Sequence, residues 1–99
     1  MRVYLSGRIR NTTDYMERFQ RAEMKMKALG HEVFNPTLLS TVYPFLTDDE
    51  YLKLDLAILE NMDTIYVMPG LEKSEGMQAE LRKAKQLGLK IIYESEVEE

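Results

Sequence analysis

Two stretches, ALGHEVF at residues 28–34 and QLGLKII at residues 86–92, carry the same punctuation: an apolar-periodic run ends, a glycine follows, and a short β-rich run begins. Glycine closes helices in the left-handed conformation, and Val, Ile and Phe directly after it favour a strand. The pair therefore marks two helix-to-strand joints. It is an echo of αβ units and not a sequence repeat.

Working outward, Tyr15, Phe19, Ala22, Met26 and Leu29 recur at helical spacing, with Thr12 or Thr13 as N-cap and Gly30 as stop. In front of this helix RVYLS, residues 2–6, reads as a strand ended by Gly7, and behind it HEVFNP reads as a second strand closed by Pro36. Thr47 and Glu50 make a T-x-x-E capping box for a helix reaching about Asn61, followed by the strand DTIYVM. Gly70 then breaks the chain, Ser74 caps a third helix, Gly88 stops it, and LKIIY precedes the acidic tail ESEVEE. Alternating strands and helices predict an α/β fold, a Rossmann-like (flavodoxin-like) three-layer sandwich on a small parallel sheet of about four strands. Residues 1–99 read as a single domain. The segment TLLSTVYPFLT, residues 37–47, lacks periodicity and reads as an apolar loop, the kind that serves as a lid or an interface.

With 44% hydrophobic and 30% charged residues in 99, the chain reads as soluble and globular, yet small enough that burying its apolar surface alone is marginal. A homodimer or higher homo-oligomer is expected, with Leu38, Leu39, Val42, Tyr43, Phe45 and Leu46 at or near the interface. No cysteine and one histidine exclude disulfide scaffolds and His- or Cys-rich metal centres, so neither a metal nor a cofactor is predicted. A strand-like N-terminus and no apolar run near the roughly 20 residues of a membrane span predict a cytoplasmic protein without membrane contact. A net charge of −4 and a pI near 5.1 exclude duplex nucleic acid as partner, while a small anion in a local pocket is compatible. His31 reads as solvated or capping, and Met16, Met24, Met26, Met62, Met68 and Met77 as core filler.

On a helical wheel, Tyr51, Leu52, Leu54, Leu56, Ile58 and Leu59 form an apolar arc with Asp55 near its middle. Met77, Leu81, Ala84 and Leu87 form a second arc that contains Glu80. Desolvating a carboxylate costs several kcal/mol, so two such breaks in pattern are informative. Each acid could sit at a rim, Glu80 pairing Lys83 and Asp55 touching an amide or arginine. Alternatively the two form a carboxylate pair for glycosidic chemistry, one the nucleophile and the other an acid or orienting group. Parallel sheets collect ligands beyond the carboxyl ends of their strands, where SGRIRN and PGLEKSEG fall.

VYLSGRIR, LDLAIL and SEGMQAEL together resemble the nucleoside 2-deoxyribosyltransferase superfamily, in particular its nucleoside 5′-monophosphate N-glycosidase branch and small relatives from phage and bacterial genomes. The resemblance covers most of the chain. It implies Glu80, four residues after Gly76, as the nucleophile, Asp55 as the helical aspartate, and Tyr4, three residues before Gly7, as a hydrogen-bond partner of Glu80. It also implies a phosphate or substrate cradle of Ser6, Gly7, Arg8, Arg10, Ser74 and Gly76. The position six residues before the nucleophile is aspartate in many transferases acting on free nucleosides and serine in the monophosphate hydrolases; here it is Ser74. The chain departs from the hydrolases in carrying Arg8 where they often have a small hydroxyl residue.

The expected activity is hydrolysis of the N-glycosidic bond of a (deoxy)nucleoside 5′-monophosphate through a covalent glycosyl-Glu80 intermediate. The alternatives are a nucleoside deoxyribosyltransferase, a non-catalytic module binding a nucleotide signal, and a structural domain that recruits a protein through residues 37–47.

Overall fold

The computed structural model describes residues 1–97. β1 (Arg2–Ser6) leads to α1 (Tyr15–Ala28), β2 (Glu32–Phe34), α2 (Thr37–Val42), α3 (Asp48–Leu59) and β3 (Thr64–Val67). A single 3-10 turn at Leu71–Lys73 precedes α4 (Glu75–Leu87), β4 (Lys90–Tyr93) and the short α5 (Glu94–Val97). All strand pairs are parallel, in the order β2-β1-β3-β4. The chain leaves β1 toward one side for β2 and returns on the other for β3 and β4. The switch point therefore lies between β1 and β3, where sheets of this type open a crevice at the strands' carboxyl ends.

The two-residue period of a strand divides the core. Val3, Leu5, Tyr66 and Met68 face α1 and meet Phe19, Ala22 and Met26. Tyr4, Ile65 and Val67 face the other way and meet Leu59 of α3 and Met77, Leu81 and Ala84 of α4. One layer is thus α1, and the opposite layer is α3 with α4.

Both helix-to-strand joints form as read, with Gly30 at φ +91° and Gly88 at φ +73°, a left-handed backbone that side chains resist. The capping box of α3 is complete: Thr47 Oγ1 accepts from the Glu50 amide at 3.2 Å, and Glu50 Oε1 accepts from the Thr47 amide at 2.8 Å. Gly7 has a packing reason, since a Cβ there would come within 2.1 Å of Met68 Cε and 2.8 Å of Phe19 Cζ.

Several expectations need correction. Segment 37–47 is not a loop throughout, because residues 37–42 form α2. Its start is fixed by buried Asn35, whose Oδ1 accepts from the Thr37 amide at 3.0 Å and from Thr37 Oγ1 at 2.6 Å. α1 begins at Tyr15 without a threonine cap; Thr12 instead folds back, its hydroxyl donating to the Ile9 carbonyl at 2.8 Å. Leu29 and Leu54, read as core-facing, are exposed. Of the methionines, Met26, Met68 and Met77 are buried and Met62 half-buried, whereas Met16 and Met24 face solvent. The acidic tail begins as α5, and its residues 98 and 99 lie outside the described residues. Among the described residues no helix is long and apolar enough to cross a membrane.

Candidate active site

Glu80 lies in the second turn of α4, on the face turned to the sheet, and is only 7% exposed. Two hydroxyls from β1 hold its carboxyl: Tyr4 donates to Oε2 at 2.6 Å and Ser6 donates to Oε1 at 2.7 Å. Both donors are buried, and both project to the α4 side because positions 4 and 6 are two residues apart on one strand. Lys83, the partner an ion-pair reading requires, is engaged with Glu60 at 3.0 Å. Glu80 is therefore a buried carboxyl held by hydroxyls, not a rim residue.

Asp55 approaches from α3. It is half-buried, and its Oδ1 is shielded from solvent without a hydrogen-bond partner. Burial pushes its carboxyl up to about 7, partly offset by contact with the Tyr4 hydroxyl. Burial likewise pushes Glu80 up to about 7, the hydrogen bonds from Tyr4 and Ser6 pulling down and the Asp55 charge pushing up. Tyr4 is raised well above its ordinary value, first by burial and then by the charges of Glu80 and Asp55, so it stays a proton donor. Interacting carboxyls of this kind titrate as a pair. Near neutral pH the pair can hold one proton, leaving one carboxylate and one neutral carboxyl.

The remaining predicted residues lie around this cluster. Ser6 is 1% exposed, with its hydroxyl proton committed to Glu80. Gly7 is filled around by Met68 and Phe19. Arg8 is half-buried, its carbonyl accepting from Arg18 Nη2 at 2.8 Å and its side chain lying against Gly70. Arg10 is exposed and ion-paired with Asp48. Ser74 caps α4, its Oγ accepting from the Met77 amide at 3.2 Å, which leaves the Glu75 and Gly76 amides free of intrahelical partners. A Cβ at Gly76 would meet nothing closer than Ser74 Oγ at 4.0 Å, so the approach to this helix terminus is open.

Tyr4, Ser6, Asp55 and Glu80 thus meet directly, while Arg10 and Ser74 stand apart from their hydrogen bonds. The sequence reading missed that Ser6 serves the carboxylate; its position two residues after Tyr4 was the available signal. Two cavities of about 300 and 180 Å³ lie elsewhere, the first between α1 and Glu94, the second around Pro69 and Tyr93, and neither is lined by Tyr4, Asp55 or Glu80. Among the described residues no three acidic or histidine side chains converge as a metal-ligand set.

Residues 1–93 match the model of the family described as Domain of unknown function (DUF4406). The chain belongs to that family. No curated protein matches this DUF4406 chain. Among solved structures it is similar to a 2-deoxyribosyltransferase from Bacillus psychrosaccharolyticus, with a TM-score of 0.77 and 22% identity over 94% of this chain and 71% of the other. It is also similar to the Clostridium botulinum CMP N-glycosidase BcmB, with a TM-score of 0.69 and 26% identity over 94% of this chain and 70% of the other. The resemblance to the nucleoside 2-deoxyribosyltransferase superfamily and its N-glycosidase branch thus extends from motifs to architecture, and the first likeness is one of fold.

Proposed function

We propose that this DUF4406 chain hydrolyses the N-glycosidic bond of a (deoxy)nucleoside 5′-monophosphate through a covalent glycosyl ester on Glu80. The carrying observation is the buried Glu80 carboxyl, held by two donated hydroxyl hydrogen bonds with a second carboxyl beside it. Similarity to the structure of the CMP N-glycosidase BcmB supports the reading.

The hydrogen bonds support a division of roles. Tyr4 and Ser6 donate only to Glu80, which favours its ionised form, so the proton the pair holds near neutral pH is assigned to Asp55, whose buried Oδ1 has no donor. Ionised Glu80 attacks C1′ as the C1′–N bond breaks, and Asp55 gives its proton to the departing base. Water then attacks C1′, the ester bond to Glu80 breaks, and the water's spare proton returns to Asp55. The products are free base and sugar 5-phosphate. If a second base replaces water at the ester, the same intermediate makes the enzyme a deoxyribosyltransferase.

The 5′-phosphate is assigned to the open N-terminus of α4, where Ser74 and the Glu75 and Gly76 amides meet the positive end of the helix dipole, with Arg8 and Arg10 as charge-assisted donors. A homo-oligomer through the exposed Leu38, Val42, Tyr43 and Phe45 completes the proposal. The test is incubation with a panel of nucleoside 5′-monophosphates, read for free base by chromatography. Base release by the wild type and none by Glu80→Gln is expected. Release by neither protein, or equally by both, overturns it.

A further inference from the structure

Asp48 is the first residue of α3, and Asp55 lies seven residues further on. Seven residues turn a helix through about 700°, so both carboxyls stand on one side of α3, roughly 10 Å apart along its axis. Opposite them, the β1–α1 loop leaves Ser6 and folds into a turn at Ile9–Thr12, closed by the Thr12 amide on the Ile9 carbonyl at 3.3 Å. Asn11 takes φ +61° in that turn, a conformation asparagine tolerates, and Arg10 stands at its tip. The Arg10 guanidinium pairs with Asp48. This ion pair joins the loop behind Ser6 to the head of α3, on the side of the helix that bears Asp55.

We propose that Asp48 is a specificity residue: it competes for Arg10 with the 5′-phosphate of the ligand and yields Arg10 to that phosphate. The inference rests on the monophosphate reading above and deepens it, because Asp48 has no place in that reading. The two side chains are 74% and 72% exposed, and an ion pair in such a setting is held weakly. A phosphate presents three acceptor oxygens to the guanidinium fork and a larger negative charge than one carboxylate, so it displaces Asp48. An uncharged nucleoside cannot, and it leaves the pair closed. Asp48 is also dispensable to the helix, since Thr47 and Glu50 form the cap and Asp49 and Glu50 remain in the first turn.

The experiment uses carbocyclic deoxynucleosides, one purine and one pyrimidine, each with and without its 5′-phosphate. Without a ring oxygen they resist cleavage, so binding is read by calorimetric titration. Wild type, Asp48→Asn, Arg10→Gln and the double variant are compared. Asp48→Asn is expected to tighten the phosphate-bearing probes about two- to fivefold, the gain from releasing an exposed pair, and to leave the nucleosides unchanged. The gain is expected to vanish in the Arg10→Gln background. No gain, an equal gain for both probe types, or a gain that persists without Arg10 overturns the inference. If the wild type binds no probe, the nucleotide reading falls and this inference with it; if it binds probes that Asp48→Asn does not discriminate, this inference alone falls. Asp48→Ser, well tolerated at a helix start, gives the same discrimination should Asp48→Asn fold poorly.

Discussion

The Tyr4 hydroxyl donates to Glu80 Oε2 at 2.6 Å across 76 positions of sequence, tying β1 to the second turn of α4. The bond lets a carboxyl that is almost wholly buried remain ionisable near neutral pH. Tyr4→Phe removes one of its two donors, so the Glu80 pKa is expected to rise above about 7. The acid limb of the pH–rate profile moves upward, and the rate at pH 7 falls by about one to two orders of magnitude. An unchanged limb would show that the bond has no part in the ionisation of Glu80.

Asp55 and Glu80 give the chain a signed dependence of stability on pH. Both are raised to about 7 from ordinary values of 3.8 and 4.5. The folded chain therefore holds more protons than the unfolded one between about pH 4 and 7. The associated stability is fully present at the low end of that window and lost as pH rises through about 7. Asp55→Asn removes one of the two groups. Thermal melts from pH 5 to 8 are expected to fall less steeply for the variant than for the wild type, with the variant the more stable at pH 8. Its rate is expected to fall by about two to four orders of magnitude, the range of a lost acid. A variant as steep as the wild type, with normal turnover, would return Asp55 to a structural role.

Most of the architecture was legible because local signals agreed with the fold. The glycines at 30 and 88, the Thr47–Glu50 box and the Ser74 cap each act within a few residues, and all four appear where the sequence puts them. α2 was not legible, because its start is held by Asn35, ahead of Pro36, and the helix has only 6 residues with little buried. Leu54 and Met24 misled for a different reason: apolar residues also occupy faces that this chain leaves to solvent. The two acids stood out by breaking an apolar arc, but what holds Glu80 depends on contacts to residues more than 70 positions away.

Ser74, the cap of α4, is proposed to distinguish nucleotide from nucleoside. Ser74→Asp retains a cap but places a negative charge where a phosphate is proposed to dock. Use of 5′-monophosphates is expected to weaken by at least about 1.5 to 3 kcal/mol, while free nucleosides lose much less. Comparing kcat/KM for the two substrate types checks this. Equal losses would mean that the helix terminus does not read the phosphate.

Leu38, Val42, Tyr43 and Phe45 are all exposed around α2, and Phe45 is 77% exposed. Tyr51 fastens this segment to α3 by donating to the Tyr43 carbonyl, so the apolar side chains sit on an anchored surface. Sedimentation velocity is expected to give at least a dimer, and Phe45→Ser with Leu38→Ser to shift it toward monomer. A monomeric wild type at high concentration would contradict this use of the surface.

The claim that Glu80 is a nucleophile is tested most directly by trapping the intermediate. A 2-deoxy-2-fluoro-arabinosyl nucleotide slows the release of sugar from a glycosyl ester, so the intact protein can be weighed while the ester persists. The expected result is a mass increase of one fluorosugar phosphate, located on the peptide containing Glu80 and absent from Glu80→Gln. Release of free base with no covalent adduct, or an adduct on any other residue, would contradict it.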